Sequence, residues 1–427
     1  MLGSYNMIMR IAEGLVLAVT ALAPDHSSAK FMRFGRGQRH ALHDIINESG
    51  TLDRRVPTVW FHCASLGEYG IARPIISQLK RSVPCNVVLT FFSPTGYEAL
   101  THRMHTKDSP DRVWYLPLDT RDNCVKFLDA VRPDCAVFMV SEYWHNYLDL
   151  LTERDIPALL VSAIIREDGP FFKWYGHLYR KSIKTFRSVY ALDTGSVRRL
   201  ERLGVEKAIL NGDPLFDNAV LVSRTPWDNP VIEHFTAGRD TFVAGSIHPG
   251  QDLEMTVSVA NSNPDIPFII VPHEISNSIL RDIEKGLRGG SIRLSECNAH
   301  TDFTGIQSLI VDSVGSLAYL YRYGRWAYVG GGFSRFLHSV VEPVVYGLPV
   351  AFGPQIRRKV TPRELEELGI GTRVENAAQL DKWLKNLRSD RSRLKLIRTR
   401  ARDYVERNSG ATPRVVNGIK EVLCGKK

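Results

Sequence analysis

From Pro57 onward, short apolar runs alternate with longer stretches whose apolar residues recur at helical spacing. Val59–Cys63, Val87–Phe92, Val113–Leu116, Ala136–Val140, Ala158–Ile164 and Val189–Leu192 read as strands. They are nearly all apolar, as strands of a parallel sheet covered on both faces must be. Ile71–Arg81 and Arg121–Val131 between them have the length of crossover helices. Thr225–Gly238 breaks the rhythm with Pro226 and Pro230 and reads as a linker. The alternation then restarts. Thr241–Gly245, Phe268–Pro272, Leu309–Asp312, Trp326–Val329 and Val350–Phe352 are predicted strands, and Leu253–Asn261, Ser316–Tyr323 and Pro362–Leu368 predicted helices.

This pattern predicts two doubly wound α/β domains in tandem, with ligands at the carboxyl ends of the strands. The expected boundaries are an N-terminal membrane-associating segment over 1–45, a first domain over 46–224, the linker over 225–238, a second domain over 239–405 and a terminal helix over 406–427 that can cross back to the first domain. A length of 427 residues agrees with two cores rather than one.

The two ends differ from the middle. Tyr5–Leu22 is mostly apolar but is interrupted by Arg10 and Glu13, and the clean run Gly14–Ala23 is about half of the ~20 residues a membrane span needs. Ala21-Leu22-Ala23 resembles a signal-peptidase site, but Pro24 follows it directly. The expectation is an in-plane or partly inserted anchor, with Lys30, Arg33, Arg36 and Arg39 behind it to meet anionic head groups. An ordinary helix packed on its own domain is the alternative. Ala378–Leu423 reads as helical and strongly basic, with Leu384, Leu387, Leu394 and Ile397 at roughly helical spacing and the charges on a solvated face.

A formal net charge of +9 suits anionic partners: nucleic acid, a phospholipid surface or a phosphorylated substrate. The six cysteines form no Cys-x-x-Cys pair and read as buried free thiols of a reducing compartment.

Candidate chemistry gathers at predicted strand ends. Ser65 and Glu68, just after the first strand, have the form of a capping box. The functional alternative makes Glu68 a charged carboxylate at the rim, able to take a proton from a hydroxyl. Glu142 follows a strand on the same rim. In the second domain Gly245-Ser246-Ile-His248 and Pro272-His273 end strands. Gly330, Gly331 and Gly332 are read as opening a helix whose bare N–H groups face an anion. His338 and Glu342 are four residues apart, hence on one face of that helix, and Glu342 suits a ribose. No His-Glu-x-x-His, strand-end Asp-x-Asp, paired Cys/His cluster, Gly-Lys-Ser or Gly-x-Ser-x-Gly occurs, so no metal site and no serine hydrolase are expected.

Several motifs occur together: Ser-x-Gly-Glu after Trp-Phe-His, Glu-x-Trp at 142, Gly-Ser-x-His-Pro-Gly, Pro-His, and Gly-Gly-Gly…His…Glu-Pro…Gly-Leu-Pro-Val…Phe-Gly-Pro. In this order they resemble the 3-deoxy-D-manno-octulosonic acid (Kdo) transferases of lipopolysaccharide synthesis, from about Tyr5 to Val422. The resemblance implies a GT-B fold and an inverting, metal-independent transfer of Kdo without a cofactor. The donor would be CMP-Kdo and the acceptor a lipid A precursor at the cytoplasmic face of the inner membrane; no nucleic acid is implied. It makes Glu68 the catalytic base, Glu142 the second carboxylate, and Ser65 and Gly67 part of the acceptor side. It places Gly245, Ser246, His248, His273, Gly330, Gly331, Gly332, His338 and Glu342 around the donor. The chain departs from the family where Pro-Arg-His is usual and Val-Pro-His-Glu stands instead, and where His338-Ser339 replaces His-Asn. Another nucleotide sugar, or an inert membrane-bound scaffold, are the competing readings.

Overall fold

The computed structural model describes residues 2–21, 30–101, 108–334, 337–356 and 359–425. They divide into two compact units, Met1–Asn218 with Ser409–Lys427, and Ala219–Asn408.

The first unit holds β1 (Thr58–Cys63), β2 (Asn86–Phe91), β3 (Arg112–Tyr115), β4 (Cys135–Met139), β5 (Ala158–Ala163), β6 (Phe186–Ala191) and β7 (Ala208–Leu210). They form one parallel sheet in the order β3-β2-β1-β4-β5-β6-β7. Strand order reverses between β1 and β4, which makes a crevice beyond their carboxyl ends. Side chains alternate across the pleat. Val59, Phe61 and Cys63 pack with Ile75, Leu79 and the terminal helix Ala411–Cys424, through Val415, Val416 and Ile419. Trp60 and Phe138 pack on the other face with Phe127 and Tyr147.

The second unit holds β8 (Thr241–Ile247), β9 (Phe268–Pro272), β10 (Gly290–Arg293), β11 (Ile306–Ile310), β12 (Gly324–Val329), β13 (Val350–Phe352) and β14 (Gly371–Arg373). This sheet is also parallel, in the order β10-β11-β9-β8-β12-β13-β14. Its reversal falls between β8 and β12.

Several expectations change. Thr225–Gly238 is no free linker: it contains the helix Pro230–Thr236, capped by the Asn229 side chain, with Ile232 and Phe235 buried. The boundary between the units lies at Asn218/Ala219. Strands β7, β10 and β14 were not predicted; each has three or four residues and is partly exposed, too short for a period to show. Ser316–Tyr323 is a single α turn, Leu317–Leu320, followed by a 3-10 turn. Ala378–Leu423 is three helices, Ala377–Ser389, Arg391–Asn408 and Ala411–Cys424, and Leu384, Leu387, Leu394 and Ile397 are all buried. Of the six cysteines, all free, Cys63, Cys124 and Cys135 are buried, Cys85 and Cys297 partly so, and Cys424 is exposed.

The N-terminal segment is two helices, Leu2–Ala21 and Lys30–Glu48. The second is not a separate anchor, since Ala41 and Ile45 are buried in the first unit. The first is long and apolar enough to cross a membrane by length and composition. Between Tyr5 and Glu13 it is tied to the rest of the first unit by polar contacts. The Tyr5 hydroxyl donates to Asp119 at 2.8 Å, Asn6 accepts from the Arg121 N–H at 2.8 Å, Arg10 pairs with Asp122 at 2.6 Å, and Glu13 accepts from Asn123 at 2.5 Å. Met7, Ile8, Ile11, Leu15 and Val19 stand exposed. Leu22 and Ala23, of the signal-peptidase resemblance, lie outside the described residues.

Candidate active site

Both acids of the first unit sit where its strand order reverses. Glu68 lies in the first turn of the helix Leu66–Ser82, directly after β1. The expected capping box is only half made. Ser65 is the N-cap, but its side chain makes no capping bond. Glu68 reaches back instead, and its Oε2 accepts from the Ala64 N–H at 2.5 Å. These bonds favour the charged form, yet burial and the charge of Glu142 outweigh them and push the Glu68 carboxyl up to about 7. Gly67 beside it is exposed and Ser65 partly so.

Glu142 is delivered by β4. Val140, at that strand's end, has φ 57°, a left-handed conformation costly for a β-branched residue. The Val140 N–H is still tied to the Val161 carbonyl at 2.8 Å, so the bend is held by the sheet. Glu142 is 16 % exposed. Its Oε2 accepts from Trp144 Nε1 at 2.7 Å and lies 3.4 Å from His62 Nε2. His62 is fully buried, with Nδ1 2.9 Å from Thr90 Oγ1, which also accepts from Trp60 Nε1 at 2.8 Å. His62 was not singled out in the sequence. Its signal is visible: a polar residue at a core-facing position of an apolar strand.

In the second unit, β9, β8 and β12 are neighbours. Their carboxyl ends bring together His273, His248 and His338. His248 Nε2 and His338 Nε2 are 2.8 Å apart. The ring centroids of His248 and His273, and of His273 and His338, are each 4.4 Å apart. Burial pushes His338 down to about 4 and lowers His273, so both imidazoles are neutral near pH 7. His273 remains exposed.

The glycines do not form the anion loop expected of them. Gly330, Gly331 and Gly332 are buried, and no helix follows directly. The next helix is the short Val341–Val345. The Gly330 N–H donates to the Gly245 carbonyl at 2.9 Å, and the Gly331 N–H to Asp252 Oδ2 at 2.7 Å. A Cβ on Gly330 would lie 2.2 Å from the Ser246 carbonyl oxygen, and one on Gly332 2.5 Å from the Gly353 nitrogen. These glycines let the ends of β8, β12 and β13 meet backbone to backbone. Asp252, buried at the start of the helix Gln251–Ser262, also accepts from Tyr328 Oη at 2.5 Å. It ties β8, β12 and the glycine turn together, a role the sequence did not disclose.

His338 lies in a loop, so it does not share a helix face with Glu342. Glu342 opens the helix Val341–Val345, and burial pushes its carboxyl up to about 7. It acts electrostatically on Tyr321. A Cβ on Gly245 would fall 2.2 Å from the Tyr321 hydroxyl, so Gly245 too is a packing glycine. Ser246 beside it is partly exposed and left-handed at φ 55°.

The comparisons with known proteins agree with this layout. The model of the 3-deoxy-D-manno-octulosonic-acid transferase (kdotransferase) N-terminal domain matches residues 31–218. The 3-deoxy-D-manno-octulosonic acid transferase of Haemophilus influenzae is 26 % identical over 98 % of this chain and 98 % of its own. That of Aquifex aeolicus is 27 % identical over 79 % of this chain and 88 % of its own. The chain is a homologue of the Kdo transferases. With them, it is a glycosyltransferase. Among solved structures, UDP-GlcNAc 2-epimerase of Neisseria meningitidis aligns with a TM-score of 0.60 at 14 % identity, over 85 % of this chain and 100 % of that one. The glycotransferase of kitacinnamycin aligns at 0.52 with 13 % identity, over 86 % of this chain and 100 % of that one. These two share the fold, and the architecture is GT-B.

Proposed function

We propose that this Kdo transferase homologue moves Kdo from CMP-Kdo to a lipid A precursor, with inversion and without a metal in the chemical step. The observation that carries the reading is Glu68. It stands at the strand-order reversal, held by a helix start and raised to about 7 by burial and Glu142. A carboxylate titrating near neutrality is matched to taking a proton from an alcohol. Glu68 removes the acceptor hydroxyl proton as the oxygen attacks the anomeric carbon of Kdo. The bond from that carbon to the phosphate oxygen breaks, and its electron pair leaves with CMP. Ser65 and Gly67 border the acceptor hydroxyl. Ser246 and the three imidazoles receive the phosphate, with the turn at Gly330–Gly332 only packing the strand ends behind them, and Glu342 receives the ribose. Polar donors of this kind stabilise charge developing on a leaving phosphate.

The acceptor is a lipid, and the N-terminal helix suits an in-plane seat on the cytoplasmic face of the inner membrane. Its polar side is engaged by the first unit, while Met7, Ile8, Ile11, Leu15 and Val19 face outward. Vesicles with anionic lipid should sediment the chain, and Ile11→Glu with Leu15→Glu should release it. Unchanged sedimentation of that variant would refute the in-plane seat.

Incubation of the protein with CMP-Kdo and a lipid A precursor, followed by mass spectrometry of the lipid, tests the main reading. Addition of at least one Kdo mass is expected. Turnover of a UDP-sugar with none of CMP-Kdo would overturn the donor assignment.

A further inference from the structure

We propose that His248, His273 and His338 form a binding site for a borderline-soft divalent cation of the Zn2+, Co2+ or Ni2+ class in the nucleotide-free protein. Their ligand nitrogens all lie within 4.8 Å of one another. The His248 and His338 Nε2 atoms, 2.8 Å apart, have only two favourable states. One is a neutral N–H···N hydrogen bond; in the other, both lone pairs turn toward a shared cation. Metal–nitrogen bonds of about 2.0–2.1 Å set the edge of a tetrahedral site near 3.3 Å. The close pair needs to open by a few tenths of an ångström, and the third nitrogen to approach. His273 is exposed and ends a strand, so its side chain has room to turn.

The backbone that carries these rings is well fixed. His248 and His273 follow adjacent strands, and the His273 N–H donates to the Ile247 carbonyl at 2.9 Å. The His248 N–H lies 3.4 Å from Asp252, and the His338 N–H donates to the Gly330 carbonyl at 3.2 Å. A set of three imidazoles on a fixed backbone binds transition metals, whereas Mg2+ and Ca2+ prefer oxygen. Three protein ligands leave a coordination position open. Glu274 beside His273 and Lys359 beside His338 bring opposite charges, so the local field does not exclude a cation. No sequence motif announced the site because its ligands come from two strand ends and from a loop position nine residues after a third strand.

The test is a titration of the full chain, without a polyhistidine tag or nucleotide and after chelator treatment, with CoCl2 near neutral pH. Saturation at one Co2+ per chain is expected, with the visible absorption of low-coordinate cobalt, displacement by Zn2+ and no competition from Mg2+. His273→Ala, at an exposed position, and the milder His338→Gln should each weaken binding at least about tenfold, the scale seen even for outer-shell metal partners. Circular dichroism would check that both variants keep the fold. Wild-type cobalt affinity in both variants, or no saturable visible band in the parent, would overturn the site. Because no donor is present, failure here is separate from failure of the transfer reading.

Discussion

The two units share a plan and differ in chemistry. Each is a seven-stranded parallel sheet whose strand order reverses once, between β1 and β4 in one and between β8 and β12 in the other. Each bends one strand at that point through a left-handed residue that is not glycine, Val140 in the first and Ser246 in the second. The first reversal presents carboxylates, Glu68 and Glu142. The second presents imidazoles, His248, His273 and His338. The fold fixes where side chains converge, and the residue at each strand end decides what they do there. An acid raised toward neutrality, as Glu68 is, suits proton removal. Imidazoles beside tightly packed glycines suit an anion or a metal.

The largest effect expected from this contrast is at Glu68. Glu68→Ala should lower turnover by at least ~10²-fold, the scale of a lost general base. Binding of CMP by calorimetry should stay within about twofold of wild type, because a removed base leaves ground-state binding to other groups. Near-normal turnover would break the assignment of proton removal to the first unit. Loss of CMP binding in the folded variant would break the division of labour.

Much of this was legible in the sequence, and the misses have physical causes. Central strands such as Ala136–Val140 were visible because burial on both faces demands an unbroken apolar run. The edge strands β7, β10 and β14 are short and half-exposed, so no such demand marks them. The place of Glu68 was legible because an apolar strand followed by Ser-x-x-Glu marks a helix start. How it is held was not, because a capping box and a back-reaching acid have the same letters. The glycines misled for a related reason. A glycine that bares its N–H and one that lets two chains touch both lack a Cβ, and only tertiary structure separates them. The histidine cluster was half seen: strand ends converge on a rim, but which rings touch depends on the order β9-β8-β12, which local spacing does not contain.

A subtler test asks whether the two acids act as a pair. Glu142 is the second cause, after burial, that lifts Glu68 to about 7. Below that pH Glu68 is protonated and cannot take a proton, so kcat/KM should rise with pH through about 7. Glu142→Gln removes the neighbouring charge but keeps an oxygen to accept from Trp144 Nε1. With one like charge gone, the Glu68 carboxyl ionises more easily. The acidic limb of the kcat/KM profile should therefore move to lower pH, while the plateau at higher pH falls far less than in Glu68→Ala. A limb that stays in place would mean that burial alone sets the Glu68 carboxyl and that Glu142 merely holds Trp144. Loss of the limb together with a fall of the plateau as deep as in Glu68→Ala would mean that Glu142, not Glu68, is the base. It would then transfer the role of base from the end of β1 to the end of β4.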